Sequence, residues 1–327
     1  MTENRPHAPL LSFGIITCNQ PAALTRLLLN LVPQLTPEVE VVIRDDSAND
    51  ETERAVAPFL SHGSIRYFHM KKEGVDRAIL FLVEAARGRY FWGFGDDTLA
   101  DDAIAVVLGV LREHPDITLL LTNCRTVGKT GSEFAFGGSA FFRSGGEVLE
   151  RFADLLDFIS IAVYDRGRAI PGIPGARAFD GSTCATLYLE MYVLSQPGRF
   201  YYLDHACVVS GVRVPNATTW YNPFQVFGID MYRVVMSFAG RFPKRTLKRM
   251  VGKTFGSVWR SILVYRAKGY ENGFGSDAAN VRALFPLYRT FPEFWLALPL
   301  LLLPRPLLRV AYRAYKVLHP ETSPRFR

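Results

Sequence analysis

Apolar runs of strand length alternate with helical patterns through the first third of the chain, and this alternation most restricts its fold. The runs occupy residues 10–17, 39–43, 65–69, 90–94 and 117–122. Between them, apolar residues recur at helical spacing in segments 24–31, 51–60, 78–86 and 104–111. Strands that alternate with helices predict an α/β fold, in which a mostly parallel sheet carries helices on both faces.

Two pairs of adjacent carboxylates follow two of these runs. Asp45 and Asp46 follow the second run, and Asp96 and Asp97 follow the aromatic fourth run. Because the carboxyl ends of parallel strands meet at one edge of a sheet, the two pairs can lie in one crevice. Four facing carboxylates need a cation or a ligand with hydrogen-bond donors. A nucleoside diphosphate with Mg²⁺ or Mn²⁺ supplies both. The plainer alternative is that each pair only begins the next helix.

The second half of the chain changes in composition. Residues 128–146 and 169–181 are rich in Gly with Ser or Pro, which predicts long loops of the kind that often bind ligands. Segment 187–194 has a helical pattern, and 199–203 and 207–209 resemble short strands. Three helical segments follow at about 224–239, 244–268 and 278–290. We expect a catalytic domain over residues 1–225 and a helical, basic region over 226–327.

Charge is unevenly distributed along the chain. Residues 1–240 hold 21 Lys and Arg against 27 Asp and Glu, whereas 241–327 hold 17 against 4. Segment 241–268 alone carries nine basic residues and no acidic one, interleaved with apolar residues. Such a helix is typical of contact with an anionic membrane surface, although a packed helix with a solvated basic face has the same pattern. Nucleic acid is a weaker expectation, since the aromatic residues lie among leucines.

The four cysteines lie far apart and form no paired spacing, which argues against a zinc site or a disulfide framework and favours a reducing cytosol. The first nine residues lack the apolar core of a signal peptide. The longest apolar run, 294–304, is interrupted by Pro299 and is too short to span a bilayer. We therefore expect a cytoplasmic protein that is peripheral on the inner face of the cell membrane.

Four motifs in order give the first half a family resemblance. They are residues 13–19 (FGIITCN), 41–52 (VVIRDDSANDET), 74–75 (GV) and 86–97 (ARGRYFWGFGDD). Together they resemble the nucleotide-binding half of a family 2 glycosyltransferase, over roughly residues 10–115. The FGDD form, with residues 216–220 (NATTW), is similar to the abequosyltransferase-like branch. The resemblance implies a GT-A fold, a nucleoside-diphosphate sugar donor and inversion at the anomeric carbon.

On the nucleoside side, the resemblance places Thr17 beside the base and gives Asp46 a hydrogen bond from the base ring. Asp45 would support the turn that carries Asp46. The alternative for Thr17 is that it merely ends a strand.

On the diphosphate side, the resemblance places Arg77 at the pyrophosphate, Asp96 at the ribose or a metal-bound water, and Asp97 on Mg²⁺ or Mn²⁺. Arg77 could instead be a solvated residue at a helix start, since Arg is ordinarily exposed. Thr98 departs from the family pattern, because many members have a third Asp there. That departure implies weaker or more donor-dependent metal binding.

An inverting transfer also needs a general base within hydrogen-bond reach of the acceptor hydroxyl. The family supplies an acidic residue ahead of a helix in the second half, and here no Glu-Asp pair stands at that distance. Asp180, just before the predicted helix, is the first candidate. Glu190, within an amphipathic helical pattern, is the second, with a surface or structural role as its alternative, and His205 is a distant third.

The expected function is therefore hexosyl or deoxyhexosyl transfer to a saccharide acceptor. The resemblance suggests a polyprenyl-linked acceptor in bacterial surface polysaccharide or lipopolysaccharide synthesis. Two alternatives stay open: a protein that binds nucleotide sugars without turnover, and a nucleic-acid-binding protein with a basic tail.

Overall fold

The computed structural model describes residues 8–127, 134, 136–153, 155–156, 158–211, 222, 224–268 and 277–318. The 216–220 motif and residues 128–133 of the first predicted loop lie outside this part. By their contacts the residues form two compact units. One comprises Met1–Val148 and Leu155–Ala217, and the other comprises Leu149–Asp154 and Thr218–Arg327.

The first unit is built on one mixed sheet, of which nine strands are described. Its strand order is β3-β2-β1-β4-β8-β6-β9-β5. Strand β7 pairs with the first part of β9, and β5 pairs with the last part of β9. The pairs β1–β2, β1–β4, β2–β3 and β6–β9 are parallel, and the other pairs are antiparallel. The strands are β1 (Leu11–Thr17), β2 (Val39–Asp45), β3 (Ile65–His69), β4 (Tyr90–Phe94), β5 (Thr98–Leu99), β6 (Ile117–Thr126), β7 (Ala140–Phe142), β8 (Ala162–Asp165) and β9 (Arg199–Ser210).

Helices of this unit use their periodic apolar faces to cover the sheet. Leu24, Leu27 and Leu28 are buried on the first helix, and Val107 and Leu111 on the fourth. The central strands β2 and β4 are buried at every position, as expected for strands covered on both faces. The helices are α1 (Pro21–Leu31), α2 (Glu51–Val56), α3 (Val75–Ala85), α4 (Ala103–Glu113), α5 (Gly145–Phe152), α6 (Arg166–Ala169), α7 (Ile173–Ala176) and α8 (Ala185–Leu194), where α5 begins in this unit.

The predicted fold class is confirmed, with differences in detail. Three short strands were missed, namely β5, β7 and β8, and each pairs antiparallel with a neighbour. The two short strands predicted at 199–203 and 207–209 are one strand, β9. Residues 169–181 are not a loop. They form successive single turns of α and 3₁₀ helix, because Pro171 and Pro174 each occupy a first-turn position where no amide hydrogen is needed.

The second unit is helical. A π-helical segment at Phe224–Asp230 leads into α9 (Met231–Ser237), and α10 (Lys244–Lys268), α11 (Asp277–Tyr288), α12 (Pro292–Leu302) and α13 (Arg305–Leu318) follow. The apolar residues in the first half of α10 are core, since Leu247, Met250, Val251 and Phe255 are buried. No helix in the described ranges is long and apolar enough to cross a membrane.

Candidate active site

Both predicted acidic pairs lie at one edge of the sheet. Strand β1 is central, with β2 on one side and β4 on the other, and all three run parallel. Thr17 pairs in register with Asp45, and Ile15 pairs with Phe94, two residues before Asp96. The three strand ends thus bring the pairs to the same edge, which is where open α/β sheets bind ligands.

Asp45 is fully buried and its carboxylate is used by the protein itself. It accepts hydrogen bonds from the Ser47 amide at 2.9 Å, from the Tyr67 hydroxyl at 2.6 Å, and from the Ser47 hydroxyl. Burial and this carboxylate raise the pKa of Tyr67, so its hydroxyl stays a donor. Asp45 therefore ties the turn after β2 to β3.

Asp46, directly after β2, is bound by a buried arginine of that strand. Arg44 donates from Nε to Asp46 Oδ1 at 2.7 Å and from Nη2 to Oδ2 at 3.4 Å, and the Glu73 amide reaches Oδ2 at 3.2 Å. Arg44 is 2 % exposed and also pairs with the Glu73 carboxylate at 3.0 Å. A base ring that donated to Asp46 would have to share an oxygen that already accepts from the protein.

The turn after β1 is fastened to the turn after β2. Asn19 has a φ of 54°, in the left-handed region, and its amide donates to the Ser47 hydroxyl at 2.7 Å. Its side-chain oxygen accepts from the Ala48 amide at 3.2 Å. The Cys18 thiol contacts the Asp46 carbonyl at 3.3 Å, while Thr17 is partly exposed at the rim of the edge.

Asp97 is half-buried and accepts a hydrogen bond from the Ser160 hydroxyl at 2.6 Å. Burial raises its pKa to about 7, the Ser160 bond opposes that rise, and Asp96 adds to it. A carboxylate with one neutral donor lacks compensation for its charge, which suits a divalent cation. In the described residues no three His, Cys, Asp or Glu side chains form a metal-binding cluster. A single carboxylate nevertheless fits Mg²⁺, which takes its other ligands from phosphates and water.

Asp96 and Thr98 differ from Asp97 in their surroundings. Asp96 is exposed, and its backbone carbonyl accepts from Arg26 at 3.3 Å. Thr98 is buried at the start of β5, with its hydroxyl 3.5 Å from the Val209 carbonyl. Its buried place in the sheet suits an uncharged side chain.

Two neighbouring side chains at the start of α3 hold the segment before α8. Gly74, with a φ of 100°, turns the chain into the helix. Arg77 then donates from Nε to Asp180 Oδ2 at 2.6 Å. Asp76, which is 2 % exposed, accepts from the Thr183 amide at 2.8 Å and the Ala185 amide at 2.9 Å.

The segment that these contacts hold is conformationally unusual. Thr183 has a φ of 65°, which is costly for a β-branched residue, by about 1–3 kcal/mol. Asp76 accepts from the first amide of α8, and burial raises its pKa while the backbone hydrogen bonds lower it. Strain of this kind is typical of functional segments and persists only where the surroundings enforce it.

The other two candidates for the base lie elsewhere. Glu190 is fully buried in α8, whose partly exposed side chains are Tyr188 and Tyr192, so an acceptor hydroxyl could not reach Glu190. Of the two alternative roles for Glu190, surface and structural, its burial fits the structural one. His205 lies in β9 and its Nε2 is 3.0 Å from Asp102 Oδ1. Asp180 is the one of the three that neighbours another predicted site residue.

Sequence reasoning missed Asp76, Ser160 and the role of Arg44. Asp76 follows Gly74 at a helix start and carried the signal of an ordinary first-turn acid. Its partners are more than a hundred residues away, and Ser160 is 63 residues from Asp97. Such pairings have no trace in local pattern.

Comparison with solved structures shows the class of fold. The structure is similar to that of S. aureus TarS 1-349 in complex with UDP-GlcNAc, with a TM-score of 0.64 and 14% identity over 93% of this chain and 92% of that one. It is also similar to the mannosyltransferase PcManGT from Pyrobaculum calidifontis, in complex with GDP-Man and Mn²⁺, with a TM-score of 0.55 and 14% identity over 97% and 89%. The fold is the GT-A fold.

Sequence comparison covers a shorter part. Residues 12–135 match the model of the family described as glycosyl transferase family 2. Chondroitin synthase from Escherichia coli is 27% identical over 131 residues, which are 39% of this chain and 19% of that protein. The chain thus spans about a fifth of the length of this relative. Residues 12–135, which match the family model, contain both acidic pairs.

Proposed function

We propose that this chain transfers a sugar from a nucleoside-diphosphate sugar to a hydroxyl of a saccharide acceptor, with inversion at the anomeric carbon. The observation that carries the proposal is the meeting of Asp45–Asp46 and Asp96–Asp97 at the carboxyl edge of three adjacent parallel strands. The match of residues 12–135 to the family 2 model supports it. Both named structural neighbours were solved with nucleotide-sugar donors, which suggests the class of ligand.

On the donor side, the proposal assigns the nucleoside to the edge formed by Thr17 and Asp46. Asp45 holds the turn that presents Asp46. Asp96, which is exposed, is free of the packing constraints on Asp97 and is assigned to the ribose.

The diphosphate is assigned to the region between Arg77 and Asp97. Asp97 would hold Mg²⁺ or Mn²⁺, which when bound would neutralise charge on the leaving diphosphate. A bound cation also offsets the burial that keeps the pKa of Asp97 near 7. Arg77 supplies a permanent positive charge for the same phosphates.

Asp180 is the base in this proposal. The acceptor oxygen bonds to the anomeric carbon from the side opposite the diphosphate while its proton moves to the Asp180 carboxylate. The bond from that carbon to the diphosphate oxygen breaks, and its electron pair leaves with the diphosphate. Asp180 is 31% exposed, so a hydroxyl from solvent can approach it.

The acceptor and location are proposed from the resemblance and from charge. A polyprenyl-linked saccharide of a bacterial surface polysaccharide or lipopolysaccharide, receiving a hexose or deoxyhexose, is the acceptor class. The exposed basic residues at the start of α10, Lys244, Arg245 and Lys248, are suited to the anionic inner face of the cell membrane. Each basic residue close to the membrane surface contributes about 1 kcal/mol to the free energy of membrane binding.

The test is a thermal-shift and hydrolysis screen of nucleoside-diphosphate sugars with and without Mn²⁺ or Mg²⁺. One donor should stabilise the protein only with the cation. Asp97→Ala should remove that shift and lower turnover at least about a hundredfold, since metal stabilisation contributes several kcal/mol. Asp116→Ala, at a side chain that is 60% exposed, is the matched control. It should change neither the thermal shift nor the turnover rate.

The outcomes separate the alternatives. Transfer by Asp97→Ala at the wild-type rate would refute the metal assignment. Donor binding without hydrolysis or transfer to any acceptor would favour a nucleotide-sugar-binding protein without turnover. Binding of oligonucleotides but of no donor would favour the nucleic-acid alternative.

A further inference from the structure

Exposed apolar side chains are concentrated on the last three helices. Twelve large apolar side chains in the described part of the chain are exposed, and seven of them lie in a stretch of 33 residues of α11, α12 and α13. The seven are Phe285, Trp295, Leu296, Leu302, Leu307, Val310 and Val317. We call this set the apolar surface. Scattered single residues would need no explanation, but a concentration of this kind does.

Helix α12 is apolar on both sides. Phe294, Ala297 and Leu301 are buried in the second unit, whereas Leu296 is 79% exposed and Leu302 57% exposed. Glu293 is the only charged residue of this helix. A helix that is apolar all round belongs in an apolar environment on every side, and here the protein covers one side only.

Helix α13 repeats the arrangement. Leu308 is buried, while Leu307, Val310 and Val317 are 57%, 64% and 80% exposed. Positions 307, 310, 314 and 317 share one helix face, and Ala314 between them is also exposed. Both α12 and α13 pack on α10, so these faces are the ones not used for packing. Phe285 of α11 joins them through an edge-to-face contact with Trp295, at a centroid distance of 6.0 Å.

Charge indicates what covers this surface. Residues 277–318 contain six Lys or Arg against two acidic residues, and Arg305, Arg309 and Arg313 lie on α13 beside its exposed apolar face. A second copy of the chain would bring like charges together across a symmetric contact. An anionic lipid surface instead takes apolar side chains into its headgroup region and attracts the arginines. Helices of 11 and 14 residues are too short to span, so they would lie in the plane.

We propose that the apolar surface of α11, α12 and α13 inserts into the headgroup region of an anionic bilayer. The proposal deepens the membrane location proposed above, on which it rests, and assigns the apolar contact to α11, α12 and α13. In the first half of α10 the apolar side chains Leu247, Met250, Val251 and Phe255 are core. Attachment therefore has an apolar component that salt does not screen, in addition to the electrostatic attraction of basic residues.

The test is co-flotation with vesicles of phosphatidylcholine containing phosphatidylglycerol, and with phosphatidylcholine alone. Binding is measured in about 0.1 M and about 1 M NaCl, where the screening length falls from about 10 Å to about 3 Å. The wild-type protein should bind the anionic vesicles and keep a measurable part of that binding at high salt. The quadruple variant Leu296→Ser, Leu302→Ser, Leu307→Ser, Val310→Ser should bind at least about tenfold more weakly, since burial of even one leucine changes a partition constant by that factor.

Matched controls keep the result interpretable. Leu29→Ser with Leu60→Ser removes exposed leucines of the first unit, 63% and 39% exposed, and should leave vesicle binding unchanged. Donor affinity, measured without vesicles, should be the same in all variants, so a failure of the membrane proposal is separate from a failure of the transfer proposal. A polarity-sensitive probe on Leu296→Cys should shift to the blue on vesicles, and the same probe on Leu29→Cys should not.

Three results would overturn the proposal. The first is unchanged vesicle binding by the quadruple variant, and the second is complete loss of wild-type binding at high salt. The third is a wild-type protein that is dimeric and a quadruple variant that is monomeric, with no vesicle binding by either protein. That result would assign the surface to a second copy of the chain.

Discussion

The ion pair between Arg77 and Asp180 joins a proposed diphosphate ligand to a proposed base. At 2.6 Å, with both side chains partly exposed, the pair is strong enough to orient both groups but remains open to competition. A donor diphosphate that took over Arg77 would release the Asp180 carboxylate for the acceptor hydroxyl. Glu73, at 3.4 Å from Arg77, offers the guanidinium a second partner in either state.

Asp180→Asn separates these roles. The variant should lower the transfer rate by about 10² to 10⁴-fold, because an amide cannot accept the hydroxyl proton. Donor affinity should be unchanged or slightly tighter, because Arg77 loses its competing carboxylate. Transfer rates and donor dissociation constants are measured on the same preparation.

Glu84→Gln is the matched control for Asp180→Asn. Glu84 forms a comparable surface ion pair, with Arg177 at 2.8 Å, and its removal should leave the transfer rate unchanged. If Asp180→Asn lowers the transfer rate by less than about threefold, the loss is far short of the usual general-base contribution, and Asp180 is excluded as the base. A collapse of donor affinity would place Asp180 in the donor site instead.

At the scale of elements, the carboxylate of Asp76 links the start of α3 to the start of α8. Each of its oxygens accepts one amide hydrogen, from Thr183 and from Ala185. The amide of Ala185 is one of the four at a helix start that have no partner within the helix. Asp76 therefore fixes the segment that carries Asp180 as well as the helix that follows it.

Asp76→Asn should destabilise the protein by about 1–3 kcal/mol, since a buried amide hydrogen loses its acceptor and the new side-chain NH₂ faces it. The transfer rate should fall more than donor affinity, because the segment of Asp180 loses its anchor. Urea denaturation and transfer kinetics measure the two effects.

Asp50→Ala is the control at another helix start. Asp50 precedes α2 without a side-chain capping bond, and its side chain is 64% exposed. Its replacement should therefore change the free energy of unfolding by no more than about 0.5 kcal/mol. Equal destabilisation by the two variants would mean that Asp76 acts only as a generic helix-start acid. Wild-type transfer by Asp76→Asn would show that the anchor is unnecessary for catalysis.

The elements that sequence predicts well are those with local signals. Strands β1 to β4 are apolar runs followed by polar turns, so the edge at which Asp45 and Asp97 lie follows from their order. Strand β8 has only four residues, Ala162–Asp165, too few to establish a period. Strand β9 continues through Asp204 and His205. These two polar residues interrupt the apolar pattern, which therefore predicts two separate strands. Contacts of Asp76 and Ser160 depend on chain packing and leave no local mark.

At the scale of the whole molecule, the two compact units are not two consecutive stretches of the chain. The expected boundary at residue 225 assigns segment 149–154 to the catalytic domain, whereas by its contacts this segment is part of the second unit. Within that unit the Thr246 hydroxyl donates to Glu150 at 3.3 Å, and Lys253 donates to the Arg151 carbonyl at 3.2 Å. A cut in the chain at residue 225 therefore does not cut between the units.

A fragment of residues 1–225 should consequently be less stable than the intact chain. Leu149 and Phe152 are fully buried and would lose the helices of the second unit, and burial of each such side chain contributes about 1.5–3 kcal/mol. The fragment should unfold at lower urea and bind a hydrophobic dye. Leu149→Ser with Phe152→Ser should reduce dye binding by the fragment but destabilise the intact chain. A chain that lacks only residues 305–327 is the control and should keep the urea midpoint of its first unit, because segment 149–154 retains α10. If the fragment of residues 1–225 matched the intact chain in both measurements, segment 149–154 would be stable without the second unit, and residue 225 would be an adequate domain boundary.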